Sequence, residues 1–122
     1  MILYRPAGLN ELVLIAVSGY TAFPARLPGQ PIFYPVLNFE YAEQIARDWN
    51  ASTPPYAGFV TCFEVEQAYA EGFEVHTVGG SQHQELWVPA EELPEFNRHI
   101  VGEIKLVAAY FVGKSAGDPA SF

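Results

Sequence analysis

The chain has 122 residues and a formal net charge of −8 at pH 7, from 14 acidic and 6 basic residues. This length predicts one domain, and a composition that is 50% hydrophobic and 15% aromatic supplies a core and excludes a disordered chain. The basic residues are scattered, so no positive stripe is available for phosphates and direct nucleic-acid binding is not expected. No run approaches the roughly 20 apolar residues of a membrane span, and we expect a cytoplasmic protein without membrane contact.

The first half of the chain predicts two strands and two helices. Residues 2–5 are a short apolar strand, and residues 11–18 have helical spacing, with Asn10 as N-cap and Gly19 as C-cap. The elements that follow are a proline-rich loop at 20–31, long enough to be functional, a strand at 32–37, and a helix from the Asn38 cap to about Asn50.

The second half predicts mainly strands. They are expected at 59–65, 73–78, 86–88 and 104–112, after a loop at 51–58, with a helical turn within 66–72 and a flexible turn at 79–81. A helix follows Pro89, is restarted or kinked at Pro94 and is ended by Gly102. The order β-α-β-α-β-β-β-α-β predicts an α+β domain over 1–112, followed by a C-terminal tail at 113–122.

Familiar catalytic motifs are absent from the sequence. The histidines, at 76, 83 and 99, have no metal-binding helical spacing, and the single cysteine forms no cluster, so no metal is expected. Neither a phosphate-binding glycine motif nor a G-x-S-x-G elbow occurs. A carboxylate and an arginine remain as the candidates for chemistry.

The carboxylate is Glu85, at the start of an apolar run within 83–93, and the arginine is Arg5, at the end of the first strand. A fixed carboxylate can stabilise the positive charge that develops on a ribose when its bond to a base breaks. An arginine can bind a ribose hydroxyl or a pyrophosphate, and the rings of Tyr34 and Tyr41 can stack on a base.

Each candidate also has an ordinary structural interpretation. Glu85 can be a solvated strand end, Arg5 a surface residue paired with a glutamate, and His83 a polar loop residue. The remaining aromatic and acidic residues have similar alternatives: half-buried core positions for Tyr34 and Tyr41, core positions for Trp49 and Trp87, a buried inert thiol for Cys62, and the helix N-terminus for Glu91 and Glu92.

The order of these features resembles the compact bacterial ADP-ribosyltransferase-like domains. The resemblance covers about residues 1–112 and is carried by Leu3-Tyr4-Arg5, by the helix from Glu11 to Gly19, by the Ala42–Trp49 helix after an aromatic strand, and by the late Glu85 strand before Pro-Ala-Glu-Glu-Leu. The chain also resembles small uncharacterised bacterial proteins labelled ADP-ribosylation/crystallin J-type. The all-helical hydrolase fold that this label can denote needs a longer helical chain with acidic metal ligands, which this sequence does not have.

The resemblance implies a split β-sheet and NAD as substrate. It gives Glu85 the catalytic position and His83 the position that orients the acceptor. The cofactor-binding positions fall on Tyr4 and Arg5 in the first strand, with Tyr34 or Tyr41 as the wall against nicotinamide. Its implied partners are a small nucleotide and a protein acceptor or binding partner.

Three hypotheses follow for function. The first is NAD-dependent ADP-ribosyl transfer or NAD glycohydrolysis, with an oxocarbenium-like transition state stabilised by Glu85. The second is a non-catalytic ligand- or protein-binding module on the same fold, because Phe33-Tyr34-Pro35-Val36 replaces the family's Ser-Thr-Ser strand motif. The third is another small-ligand enzyme that uses His83 and Glu85 as an acid–base pair.

Overall fold

Seven strands and four α-helices form the fold of residues 1–111, the part of the chain that the computed structural model describes. The strands are β1 (Ile2–Gly8), β2 (Ile32–Phe33), β3 (Ala57–Val65), β4 (Val75–Thr77), β5 (Gln84–Leu86), β6 (Val88–Pro89) and β7 (Ile100–Phe111). The α-helices are α1 (Leu9–Val17), α2 (Phe39–Ile45), α3 (Gln67–Ala70) and α4 (Leu93–Arg98). The predicted α+β class is confirmed, and the predicted tail at 113–122 lies outside the described residues.

All strand pairs are antiparallel. β1 pairs with β3 and β3 with β7, while β2 pairs with β6 and β4 with β5. Val36 connects two of these sheets, because it bridges Tyr4 of β1 on one side and Glu85 of β5 on the other. The strands therefore follow one another in space as β7, β3, β1, the chain at residue 36, β5 and β4.

The sheet divides beyond the Tyr4–Val36 bridge. The chain at Phe33 turns away to pair with Val88, so the Pro6 end of β1 has no strand partner on that side among the described residues. Proline is tolerated there, because its missing N–H would point to the open side. β1 accordingly continues to Gly8, three residues beyond its predicted end.

The start of α1 differs from the prediction. β1 runs directly into the helix, so Gly8 rather than Asn10 is the N-cap residue. The predicted stop is confirmed: Gly19 has a positive φ of 76°, and the amides of Gly19 and Tyr20 bond to the carbonyls of Ala16 and Ile15.

The second helix begins as predicted and ends differently. The side chain of Asn38 accepts a 2.8 Å hydrogen bond from the Tyr41 amide, which caps α2. After Ile45 the chain forms a π-helical turn at Ala46–Asn50, which holds more residues per turn than an α-helix. The turn takes Trp49 off the buried face, and Trp49 is 67% exposed, so the expectation that it lies in the core is wrong.

Several predicted boundaries in the second half shift. The strand expected at 86–88 is divided at Trp87 into β5 and β6, and β4 is shorter than predicted. Pro94 lies in the first turn of α4, after a short 3₁₀ turn, where proline is tolerated. The predicted helix end at Gly102 is wrong, because Gly102 lies inside β7 with a φ of 74° beside an irregularity in the pairing with β3.

The core occupies both faces of the sheet. One cluster packs the sheet against α1, α3 and α4, and includes Leu3, Phe33, Phe63, Leu86 and Phe96. The other packs the sheet against α2 and the π-helical turn, and includes Val36, Ala42, Ala46 and Val60. Among the described residues, no helix combines the length and hydrophobicity needed to span a membrane.

Replacing Asn38 with alanine is expected to lower the free energy of unfolding by about 1 kcal/mol, because the helix loses its capping acceptor. Urea unfolding measures this change. Asn10→Ala is the matched control, since Asn10 is exposed and does not cap α1; it is expected to change stability by less than about 0.5 kcal/mol. Equal losses in the two variants would contradict the cap assignment.

Candidate functional site

A cavity of about 630 Å³ opens where the sheet divides, and we call it the split cavity. Its volume lies in the range of small-molecule sites. The residues that line it and carry the argument below are Arg5, Glu11, Arg26, Tyr34, Trp49, Asn50, Glu85 and Trp87.

One wall of the split cavity holds two arginines around a single glutamate. Arg5 donates to both carboxylate oxygens of Glu11, over 2.9 and 2.8 Å, and Arg26 Nη1 lies 4.0 Å from the same carboxylate. The exposed fractions of the Arg5 and Arg26 side chains are only 12% and 13%. Two cations and one anion leave this wall with a net charge of +1.

Arg26 is the cation with spare hydrogen-bonding capacity. Its Nε donates to the Ile32 carbonyl over 3.0 Å, while its Nη2 has no partner among residues 1–111. Burial, followed by the neighbouring charge of Arg5, lowers the pKa of Arg26. A partly buried cation beside another cation is stabilised by a bound anion, so this wall is suited to a phosphate or carboxylate ligand.

Glu85 lies inside β5, where it is only 9% exposed. Its Oε1 accepts a 2.8 Å hydrogen bond from the Trp87 indole, and its Oε2 accepts a 3.1 Å bond from the Tyr41 hydroxyl. Donors on both oxygens fix the orientation of the carboxylate at the cavity wall. The interpretation of Glu85 as a solvated strand end is therefore wrong.

Tyr41 supports Glu85 from outside the cavity. Burial, together with the charge and hydrogen bond of Glu85, raises the pKa of Tyr41 to about 12. The hydroxyl therefore keeps its proton at neutral pH and remains a donor to the carboxylate. Because the raised pKa favours the protonated form, its contribution to stability is present below pH 10 and is lost as the pH rises toward 12.

The structure brings together three of the six predicted site residues. Arg5, Tyr34 and Glu85 line the split cavity, although they come from β1, the chain after β2, and β5. Tyr4, Tyr41 and His83 are not among its lining residues. Tyr4 packs edge-on against Phe39 in the core below α2.

His83 belongs to the turn between β4 and β5. Its ring nitrogen Nδ1 lies 3.2 Å from the Val78 carbonyl and 3.4 Å from the Gly80 amide. The ring stacks on Tyr41 with centroids 4.5 Å apart, and no hydrogen bond joins His83 to Glu85 among the described residues. The geometry thus gives His83 contact with a supporting residue of Glu85, not with Glu85 itself.

Trp87 is a site residue that the sequence analysis assigned to the core. It is 39% exposed, stacks one face on His76 at 3.8 Å, and meets the Tyr34 ring edge-on at 5.9 Å. Its indole therefore forms an aromatic wall beside the carboxylate that it orients. The break between β5 and β6 at this residue is the structural reason that Trp87 leaves the core.

Arg26 and Glu11 were also missed. The usable signal was an arginine inside the proline-rich loop at 20–31, whose length already indicated a functional loop. Glu11 gave no signal, since its role depends on two arginines that only the fold brings to it. Within residues 1–111, no group of three or more His, Cys, Asp or Glu side chains is arranged to hold a metal ion.

No protein-family model, curated protein or solved structure matches this chain. The residues of the split cavity are therefore the basis for a functional assignment. They combine an anion-binding wall, an oriented buried carboxylate and an exposed aromatic surface within one cavity.

Proposed function

We propose that the split cavity binds NAD and cleaves its nicotinamide–ribose bond, passing ADP-ribose to an acceptor or to water. The observation that carries this proposal is that Arg5 and Glu85, which are far apart in the sequence, line one cavity. The register places the two side chains on opposite faces of the sheet, because Glu85 pairs with Val36 and Val36 with Tyr4, the neighbour of Arg5. They line one cavity because the sheet divides between them.

Glu85 has the central role in the proposed reaction. The bond between the ribose C1′ and the nicotinamide nitrogen breaks, its electron pair leaves with neutral nicotinamide, and C1′ gains cationic character. The carboxylate stabilises that charge, and an acceptor hydroxyl, amine or water then bonds to C1′ and loses a proton. Trp87 and Tyr41 hold the carboxylate in place throughout, because each donates to one of its oxygens.

The two arginines supply the complementary contact for the dinucleotide. Glu85 lies two strand spacings, or about 10 Å, across the sheet from Tyr4. Tyr4 is the neighbour of Arg5 in the sequence. The carboxylate end and the cationic wall are thus separate regions of one cavity. An uncharged leaving base at Glu85 and a pyrophosphate at Arg26 match these two regions.

The architecture supports an ADP-ribosyltransferase-like fold as part of the proposal. The sheet is antiparallel, divides beyond the Tyr4–Val36 bridge, and has its cavity at the division. These features agree with the split sheet that the resemblance implies.

The direct test is nicotinamide release from NAD by the purified 122-residue chain, measured by chromatography. Cell extract, added in parallel, supplies candidate acceptors, and radiolabelled NAD detects transfer to protein. Release above the protein-free control supports the proposal. Absence of release with and without extract would overturn it.

A non-catalytic nucleotide-binding module is the second candidate. Two observations favour it. Arg5, the arginine of the first strand, already pairs with Glu11, and Phe33-Tyr34-Pro35-Val36 stands in place of Ser-Thr-Ser. This alternative predicts that NAD or ADP-ribose binds in calorimetry while nicotinamide release remains at background.

Replacing Arg26 with glutamine is expected to raise the KM for NAD by roughly 10- to 100-fold with little change in kcat, because one charge-assisted contact to the pyrophosphate is lost. Steady-state nicotinamide release measures both constants. Arg98→Gln is the matched control: Arg98 is exposed, pairs with Glu95 and does not line the cavity. An unchanged KM in Arg26→Gln would contradict the role of this residue.

A further inference from the structure

The split cavity has a third region, away from both Glu85 and the cationic wall. β1 shows where this region lies. Tyr4 is aligned with Glu85 across the sheet through Val36, and Gly8 lies four residues farther along β1. At 3.3 Å per residue, Gly8 is about 13 Å from Tyr4. Asn50 lies beside Gly8, since a Cβ placed on Gly8 would be 3.9 Å from its Nδ2. Arg5 lies on β1 between Tyr4, which is aligned with Glu85, and Gly8, which lies beside Asn50.

The lining of this region is aromatic and aliphatic. Trp49 and Asn50 come from the π-helical turn, and Leu14 and Ile45 come from α1 and α2. Trp49 is 67% exposed and Leu14 is 52% exposed. A flat apolar ligand group that covered the indole would remove this area from water and stack on the ring.

Asn50 adds a polar observation that is independent of Trp49. Its side-chain oxygen is shielded from solvent, yet it has no hydrogen-bond partner within residues 1–111. A buried acceptor without a partner is costly, and a donor on a bound ligand, reached by rotation of the amide, would satisfy it.

We propose that Trp49 and Asn50 form the subsite for the adenine ring of the substrate. The ring stacks on the indole, and its exocyclic amino group donates to the Asn50 oxygen. This proposal rests on the proposed dinucleotide function and fixes the direction of binding: nicotinamide ribose at Glu85, pyrophosphate at Arg26 and adenine at the π-helical turn.

Calorimetric titration with the two halves of the dinucleotide tests the subsite. AMP is expected to bind Trp49→Ala about tenfold more weakly than the unmodified chain, because one base–aromatic stack is lost. Nicotinamide mononucleotide is expected to bind both proteins equally. Trp49→Phe should recover most of the AMP affinity, and Val17→Ala, an exposed position outside the cavity, is the control.

The Asn50 contact has its own readout. AMP should bind more tightly than purine riboside 5′-monophosphate, which lacks the exocyclic amino group, and Asn50→Ala should remove that preference. Circular dichroism and thermal unfolding establish that each variant is folded.

AMP binding that is unaffected by Trp49→Ala would overturn the subsite, whatever the result for nicotinamide release. AMP binding that depends on Trp49, without nicotinamide release from NAD, would overturn the proposed cleavage and leave the subsite in place. The two failures are therefore distinguishable.

Discussion

Replacing Glu85 with glutamine is expected to lower nicotinamide release from NAD by at least about 100-fold. The substitution removes the negative charge that faces the developing ribosyl cation and keeps the size of the side chain. Loss of one fixed electrostatic contact to a transition state typically costs a factor of about 10²–10³ in rate. Initial-rate measurements at saturating NAD detect a change of this size.

Glu85→Gln is expected to remain folded. The new amide can accept from the Trp87 indole with its oxygen and donate to the Tyr41 hydroxyl oxygen with its nitrogen, so neither neighbour loses its partner. We expect the free energy of unfolding to change by no more than about 1 kcal/mol. The effect is therefore on the reaction and not on the structure.

Glu103→Gln is the matched control for this experiment, because Glu103 is exposed on β7 and does not line the split cavity. It is expected to release nicotinamide at the unmodified rate. Equal release by the Glu85 and Glu103 variants would remove Glu85 from the mechanism. The same assay on both variants corrects for any effect of the overall negative charge.

Replacing Gly58 with alanine is expected to destabilise the protein by about 3 kcal/mol or more, a large effect for one methyl group. A Cβ at this position would lie 2.0 Å from the Ala46 carbonyl oxygen and 3.0 Å from the Asn50 Cβ. The backbone of the π-helical turn thus packs directly on β3, and the added methyl group must push the two apart.

Urea unfolding of Gly58→Ala measures this effect, with Gly80→Ala as the matched control. At Gly80 a Cβ would meet only the His83 ring, at 3.7 Å and beyond, which is ordinary contact. A Gly58 variant as stable as the Gly80 variant would show that the turn does not pack on β3 this closely. Since the turn carries Trp49 and Asn50, the Gly58 variant is also expected to bind AMP more weakly.

Local signals in the sequence located most elements. Asn38 and Gly19 were identified from the chemistry of helix caps, and the strand-like run at 59–65 from its β-branched and aromatic residues. The errors arose where pairing overrode local preference. β1 continues through Pro6 because that edge is open, and Gly102 lies in a strand because β7 pairs with β3 on both sides of it.

The candidate site also contains residues that the sequence predicted and residues whose position depends on packing. Glu85, Arg5 and Tyr34 were predicted from residue type and from their positions relative to strands, and all three line the split cavity. Trp49 was assigned to the core because α-helical spacing was extended through a segment that forms a π-helical turn. That turn packs against β3, a contact that a local pattern does not contain.

The sequence by itself determined the α+β class, the helix boundaries at Gly19 and Asn38 and the two oppositely charged candidates, because these depend on neighbouring residues along the chain. Only the tertiary structure decided that Val36 bridges β1 to β5, that Glu11 lies between Arg5 and Arg26, and that Trp87 and Tyr41 hold Glu85. The contacts of Val36 and the Tyr41–Glu85 bond join residues distant in sequence, whereas the Arg5–Glu11 and Trp87–Glu85 bonds join residues six and two positions apart. Their positions are set by strand register and side-chain packing, which single-residue preferences do not specify.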